Sequence, residues 1–279
     1  MITEALYHWE KITATLIRIT TITGECMYLC QGNDEAVLID TGVGFAGLQE
    51  LIEGFTNLPL SVLLTHAHPD HILGASLFDK KIPVYLCERD KKLLTEFPME
   101  EKRIEYIRDI LGKEACEELN NQLAPAVPFP MCSIYDGQVW NLGGEMVEAI
   151  ALEGHTEGSM AFLLHQSKVL ITGDGCALCT LLFCNERFSV SQYRESLCNL
   201  AKRTDGKYEH LFISHRGGEG PVDTVHQVIH LCDEILAGVN VPMPYWNGEK
   251  DVFFAYPVDE NRDRLDKKPI NLVYHRVQV

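Results

Sequence analysis

A chain of 279 residues, 46% hydrophobic and 23% charged, is long enough to bury a substantial core and too apolar to remain disordered. Its 40 acidic residues outnumber 24 basic ones, and the net charge of −16, with no basic run longer than the pairs Lys80-Lys81 and Lys267-Lys268, argues against nucleic acid as a partner. No apolar run approaches the roughly 18 residues of a membrane span, and Glu4, Glu10 and Lys11 interrupt the N-terminal stretch, so a cytoplasmic protein without a membrane partner is expected.

In chain order, "ATLIRITTI" alternates like a strand, and "MYLCQGNDEAVLIDTG" sets two apolar runs around Gly32-Asn33-Asp34, a hairpin pattern. "GLQELIEGF" has helical spacing, "LSVLLT" reads as a buried strand, "ILGASLF" as a short helix and "IPVYLC" as another strand. The charged, helically periodic segment 89–122, broken at Pro98, reads as a helical insertion and runs into the Pro-rich loop "LAPAVPFPM". Beyond it "MVEAIALEGH", "MAFLLHQ", "KVLITGDG" and "HLFISH" predict strands, while "SVSQYRESLCNLAKR" and "PVDTVHQVIHLCDEILAG" predict helices, the last with Pro221 near its start and Gly238 just past its end. Strands lead into helices on both sides of the insertion. The expected class is therefore α/β, with two packed sheets and helices outside them. Ten cysteines lie in apolar contexts such as "YLCERD", which reads as reduced, buried thiols rather than a disulfide framework.

The stretch "LLTHAHPDH" carries the densest chemistry. His66 and His68, spaced i, i+2 just past a strand, point the same way if the chain stays extended, and Pro69 then turns the backbone so that Asp70 and His71 form a second pair. The spacing suits two adjacent metal ions better than one. Nitrogen and oxygen donors without thiolate fit zinc, with iron or manganese as alternatives, and structural zinc would favour Cys-rich closed sites. Three further strands stop at a ligand-type residue: His155 in "GHTEGS", Asp174 in "TGDG" and His215 in "ISHRGG". Asp40 in "LIDTG" has the same setting and is a candidate to orient a ligand histidine.

In the order "LIDTG", "THAHPDH", "GHTEGS", "GDG" and "SH", from about Ala14 to Gly218, the chain resembles the metallo-β-lactamase superfamily. The resemblance implies an αββα sandwich with a two-metal cleft at the sheet edges. It implies His66, His68 and His155 on one metal, Asp70, His71 and His215 on the other, and Asp174 bridging them. The bridging aspartate resembles the glyoxalase II group and related lactonases rather than true β-lactamases. Glu157 stands where the family usually has Pro, Ala177 where quorum-quenching lactonases place a Tyr, and only residues 241–279 follow Asn240, less than glyoxalase II carries for glutathione.

The expected organisation is a catalytic domain over 1–240, with the insertion at about 89–122, and an extension over 241–279 packed on the same domain. The expected function is hydrolysis of a small-molecule ester, thioester or lactone by hydroxide on two divalent metals, Asp70 also carrying a proton to the leaving group. A phosphodiesterase or nuclease, a diiron redox or sensing protein, and a binding module that has lost its chemistry are the alternatives. The insertion is a lid, a surface for a homodimer, or decoration, and the aromatic tail "VPMPYWNGEKDVFFAYP" reads equally as a pocket lining or as a packed C-terminal strand or loop. "CALC", from Cys176 to Cys179 with Cys184 beyond, has redox spacing but lacks a thioredoxin-like setting, and His226 and His230, i and i+4 on a helix, lack a companion carboxylate. Ser214 and Arg216 flank His215 as candidate substrate contacts.

Overall fold

The structure, a computed structural model, describes residues 5–96, 98–126, 129–182, 188–245 and 250–279. Seven strands follow one another across the first sheet: β1 (Tyr7–Lys11), β2 (Leu16–Thr21), β3 (Cys26–Gln31), β4 (Ala36–Ile39), β5 (Leu60–Leu63), β6 (Val84–Cys87) and β7 (Cys132–Ile134). The first four are antiparallel neighbours, and from β4 onward the pairing is parallel. The second sheet is built from β8 (Val139–Asn141), β9 (Met146–Ala151), β10 (Met160–Leu164), β11 (Val169–Ile171), β13 (His210–Phe212) and β14 (Glu219–Gly220), in the order β14-β13-β11-β10-β9-β8.

Alternation along each strand explains the layering. Val37 and Ile39 of β4 face Met160, Phe162 and Leu164 of β10 across the inter-sheet core, whereas Ala36 and Leu38 turn outward. The outward face of the first sheet is covered by helix α1 (Leu48–Phe55) through Leu48 and Ile52. On the second sheet, Ala161 and Leu163 meet two long helices near the end of the chain. Before these come α2 (Pro69–Ile72), α3 (Leu93–Glu96), α4 (Met99–Leu111) and α5 (Lys113–Leu119); the covering pair is α6 (Val190–Thr204) and α7 (Thr224–Leu236), which also pack on each other. The αββα order expected from the sequence is present.

Helices α3 to α5 make up the predicted insertion. Ile107 of α4 and Cys116 of α5 bury against the first sheet's outer face, and α4 packs on α2, the short helix that carries Asp70 and His71. Two local expectations differ. Thr224 N and Oγ1 both donate to Pro221 O, at 3.0 and 2.6 Å, so a turn follows the proline and α7 starts only at Thr224. The "ILGASLF" helix is a 3-10 turn over Leu73–Leu77.

A third sheet was not foreseen. Strands β15 (Met243–Pro244), β16 (Val252–Phe254) and β17 (Asn271–His275) join β12 (Cys179–Leu181) in the order β12-β17-β16-β15. The tail beyond residue 240 is thereby tied by backbone hydrogen bonds to a segment that directly follows Asp174. Among the described residues no helix is long and apolar enough to cross a membrane.

Candidate metal centre

Strand β5 delivers the chain to the site. Leu64 N still donates to Tyr85 O at 2.9 Å, extending the pairing by one residue; the chain bends at Thr65, and His68 is extended (φ −80°, ψ 152°) before Pro69 opens α2. Proline suits that first helical position because its fixed φ is helical and its missing N–H would be unpaired there anyway. His66 Nε2 and His155 Nε2 lie 3.1 and 3.0 Å from His68 Nδ1, so three imidazole nitrogens converge on one point. A second group forms one turn further on. Asp70 Oδ2 is 3.5 Å from His71 Nε2 and 3.3 Å from His215 Nε2. Asp174 Oδ2 stands between the groups, 3.3 Å from His215 Nε2, 3.6 Å from His71 Nε2 and 3.8 Å from His155 Nε2. All seven residues singled out in the sequence thus meet in one place, the ends of β5, β9, β11 and β13.

The surrounding hydrogen bonds fix which nitrogens are free. Leu181 O can only accept, so His155 Nδ1, 2.9 Å away, carries the proton and Nε2 presents its lone pair. Asp40 works likewise. Its Oδ2 accepts from Thr65 Oγ1 at 2.8 Å and from His71 Nδ1 at 2.9 Å, and its Oδ1 accepts from Thr65 N at 2.8 Å. With its proton given to Asp40, Thr65 Oγ1 accepts from His66 Nδ1 at 3.0 Å, which aims His66 Nε2 inward. Asp40 holds this position with φ +62°, a left-handed conformation that costs on the order of 1 kcal/mol for a short polar residue. Gly173 supports the approach from the other side, because a Cβ there would sit 2.9 Å from Thr65 Cβ and its φ is +56°.

Four buried side-chain polar atoms have no hydrogen-bond partner among the described residues, and two of them, His71 Nε2 and Asp174 Oδ1, belong to this cluster; the others are Arg18 Nη1 and Arg103 Nε. Unpaired buried acceptors are destabilising unless a cation or proton fills the space between them. The electrostatics agree. Burial, with neighbouring imidazoles, pushes His66 well below the usual histidine range and His68 down to about 3, so both are neutral donors. Burial also opposes charge on His71 and His215, but Asp70 and Asp174, joined by Asp40 at His71, outweigh it and draw protons onto both rings. Divalent metal ions would displace those protons and satisfy both orphaned atoms. The residues present fit a pair of metal sites.

Sequence reading missed Asp90. Fully buried and just past the end of β6, it accepts from Ala67 N (3.0 Å), Thr156 Oγ1 (2.7 Å) and Gly158 N (2.7 Å), tying the loop of His66 and His68 to the loop of His155. Gly158 permits this, since a Cβ there would lie 2.7 Å from Asp90 Cγ. The signal was available: a carboxylate ending an apolar strand, as at Asp40 and Asp174. Flanking ion pairs reinforce the junction, Arg89 with Glu153 and Lys92 Nζ with Glu157 Oε1 at 2.6 Å, so Glu157 in place of the usual proline answers Lys92. In an Asp90→Asn variant an amide N–H must face one of three donors, and urea unfolding is expected to show a loss of about 1–3 kcal/mol.

The other candidates lie outside the two ligand groups. Ser214 points inward, its Oγ 3.5 Å from Asp40 Oδ2, and Arg216 pairs with Asp263. Burial raises the Cys176 thiol and pushes Cys179 up to about 11, so neither is a thiolate near neutrality, and Cys184 lies outside the described residues. His226 pairs with Asp205 and His230 with Glu234 on the surface of α7.

Comparison with known proteins places this geometry in context. The family model of the metallo-beta-lactamase superfamily matches residues 23–202. Hydroxyacylglutathione hydrolase GloC of Haemophilus influenzae is 27% identical over 165 residues, 57% of this chain and 69% of that protein. Acyl-coenzyme A thioesterase MBLAC2 of Homo sapiens is 25% identical over 165 residues, 53% of this chain and 57% of that protein. A metallo-beta-lactamase from Pontibacter korlensis superposes with a TM-score of 0.60 at 20% identity, covering 81% of this chain and 99% of that one, a likeness of fold. With the sandwich, the order of motifs and a family match over more than half its length, the chain belongs to the metallo-beta-lactamase superfamily.

Proposed function

We propose that the chain is a dinuclear metal-dependent hydrolase of small acyl compounds, with thioesters as the leading class over oxygen esters and lactones. The observation that carries the metal half of this reading is the unpaired, buried His71 Nε2 and Asp174 Oδ1 inside a cluster of convergent donors. His66, His68 and His155 would hold one ion, Asp70, His71 and His215 a second, and Asp174 would touch both. Zinc is the first candidate for this donor set, iron and manganese the others. Such ions supply a water whose pKa falls from 15.7 to about 7 and polarise a carbonyl.

The chain's own residues do the rest. Asp40 and Leu181 O keep His71 and His155 in the tautomers that leave Nε2 free, so no reorganisation is needed before reaction. Asp70, partly open to solvent and beside His215, would take up the proton that the attacking water releases and pass it to the departing thiol or alcohol. The thioester preference draws on the relatives, one named a hydroxyacylglutathione hydrolase and one an acyl-coenzyme A thioesterase.

Metal content of the purified protein, followed by a panel of thioester, lactone and phosphodiester substrates, tests the proposal. Two ions per chain, turnover of a thioester, and its loss on chelation with recovery on adding zinc are the expected results. Full activity in metal-free protein would end the proposal, and cleavage confined to phosphodiesters would replace its substrate class.

A further inference from the structure

Helix α4 of the insertion brings Tyr106 to the metal centre. Its ring centroid lies 6.2 Å from that of His215, the planes inclined at 62°. Its hydroxyl donates to Glu25 Oε2 at 3.2 Å and lies within electrostatic reach of Asp70 and Asp174. Glu25 is itself immobilised: 1% exposed, it accepts from Thr23 Oγ1 at 2.6 Å and from Val43 N at 3.2 Å. A buried carboxylate with three donors anchors the phenol end and so holds the ring beside His215.

This is also the more open side of the second ligand group. The His215, Asp174 and Asp70 side chains are 28%, 17% and 15% exposed, against 1% for His71 and 3% for His155. A substrate reaching Asp70 and His215 therefore passes beside an aromatic face that the insertion supplies and the ligand motifs do not encode. We propose that Tyr106 is a specificity-determining residue, its ring forming an apolar wall against the acyl chain of the substrate while Glu25 fixes the ring's position. The inference rests on the acyl-hydrolase reading above and adds that the acyl group carries a hydrocarbon chain. An apolar chain against an aromatic ring gains from buried area without any demand on hydrogen bonding.

The test uses the full chain as Tyr106→Ala and Tyr106→Phe, with Tyr106→Gln as a variant that keeps bulk and removes the apolar face. Binding of straight-chain carboxylates from acetate to octanoate is measured by calorimetry, alongside metal content and KM and kcat for thioesters of the same lengths. Wild type is expected to favour octanoate. Tyr106→Ala and Tyr106→Gln should lose about tenfold of that preference and raise KM for the octanoyl thioester with kcat nearly unchanged. Tyr106→Phe keeps the ring but loses its hydrogen bond to Glu25, so it should keep more of the chain-length preference than the Ala and Gln variants without matching wild type. An unchanged chain-length preference in the Ala and Gln variants overturns the proposal, as does loss of bound metal or an equal fall in kcat for Tyr106→Phe. If wild type turns over none of the thioesters, the acyl-hydrolase reading fails, and the carboxylate series decides the role of Tyr106 separately.

Discussion

Asp174→Ala is expected to lose bound metal and hydrolysis together, with turnover down by about 10³-fold. The size of the effect follows from position. Asp174 Oδ2 lies within 3.8 Å of nitrogens from three histidines that belong to two different groups, so one deletion opens both. Its negative charge also helps to draw a cation to His71 and His215, which burial alone would keep neutral. With Ala in place, the second group keeps Asp70 as its remaining carboxylate and the first keeps its three imidazoles, a weaker pair of sites with nothing to hold the ions at a fixed separation. Asp174→Asn is a milder probe, retaining one acceptor oxygen and losing the charge, and should fall between Ala and wild type in metal content. Metal analysis by mass spectrometry on the same samples used for thioester turnover makes the comparison. Turnover that survives in protein holding one ion would show that the chemistry needs a single site, and Asp174 would then serve only to place the second.

Much of this site was legible because each ligand obeys one local rule: an apolar run with strand character ends, and a donor follows within a few residues. His155, Asp174 and His215 could be read in this way at separations of many tens of residues because strand ends gather at one edge of a layered sheet. The same rule applied to "IPVYLCERD" would have found Asp90, but the charge of the following segment drew the boundary of the insertion at Arg89 and absorbed the carboxylate into it. Tyr106 was illegible for a different reason. It lies on a helix whose own periodicity says only which face is buried, and its meeting with His215 depends on how α4 crosses α2, a packing relation with no local signature. The third sheet was hidden because its strands are short. β12 is three residues long and β15 two, too brief to show alternation, and β17 lies in "NLVYH", whose apolar residues read equally as loop or strand.

The second large effect is expected at Asp40, where two substitutions should separate folding from metal binding. Asp40→Ala removes four hydrogen bonds at once, leaving Thr65 N, Thr65 Oγ1, His71 Nδ1 and Ser214 Oγ without their acceptor in a buried setting, and it puts a residue with no local hydrogen bonding at φ +62°. A stability loss of about 3–5 kcal/mol is expected from equilibrium unfolding. Asp40→Asn behaves differently. Asparagine tolerates the left-handed conformation and its Oδ1 still accepts from Thr65 N, so the fold should lose only about 1–2 kcal/mol. Its amide, however, now faces His71 Nδ1. To accept from that N–H, His71 must shift its proton to Nε2, which removes the lone pair offered to the metal. Metal affinity is therefore expected to fall by about 10–100-fold in Asp40→Asn although the protein remains folded. Competition with a chromophoric chelator gives the affinity and urea unfolding gives the stability. If Asp40→Asn binds metal as tightly as wild type, Asp40 serves the loop alone, and the tautomer of His71 is set by the metal rather than by the protein.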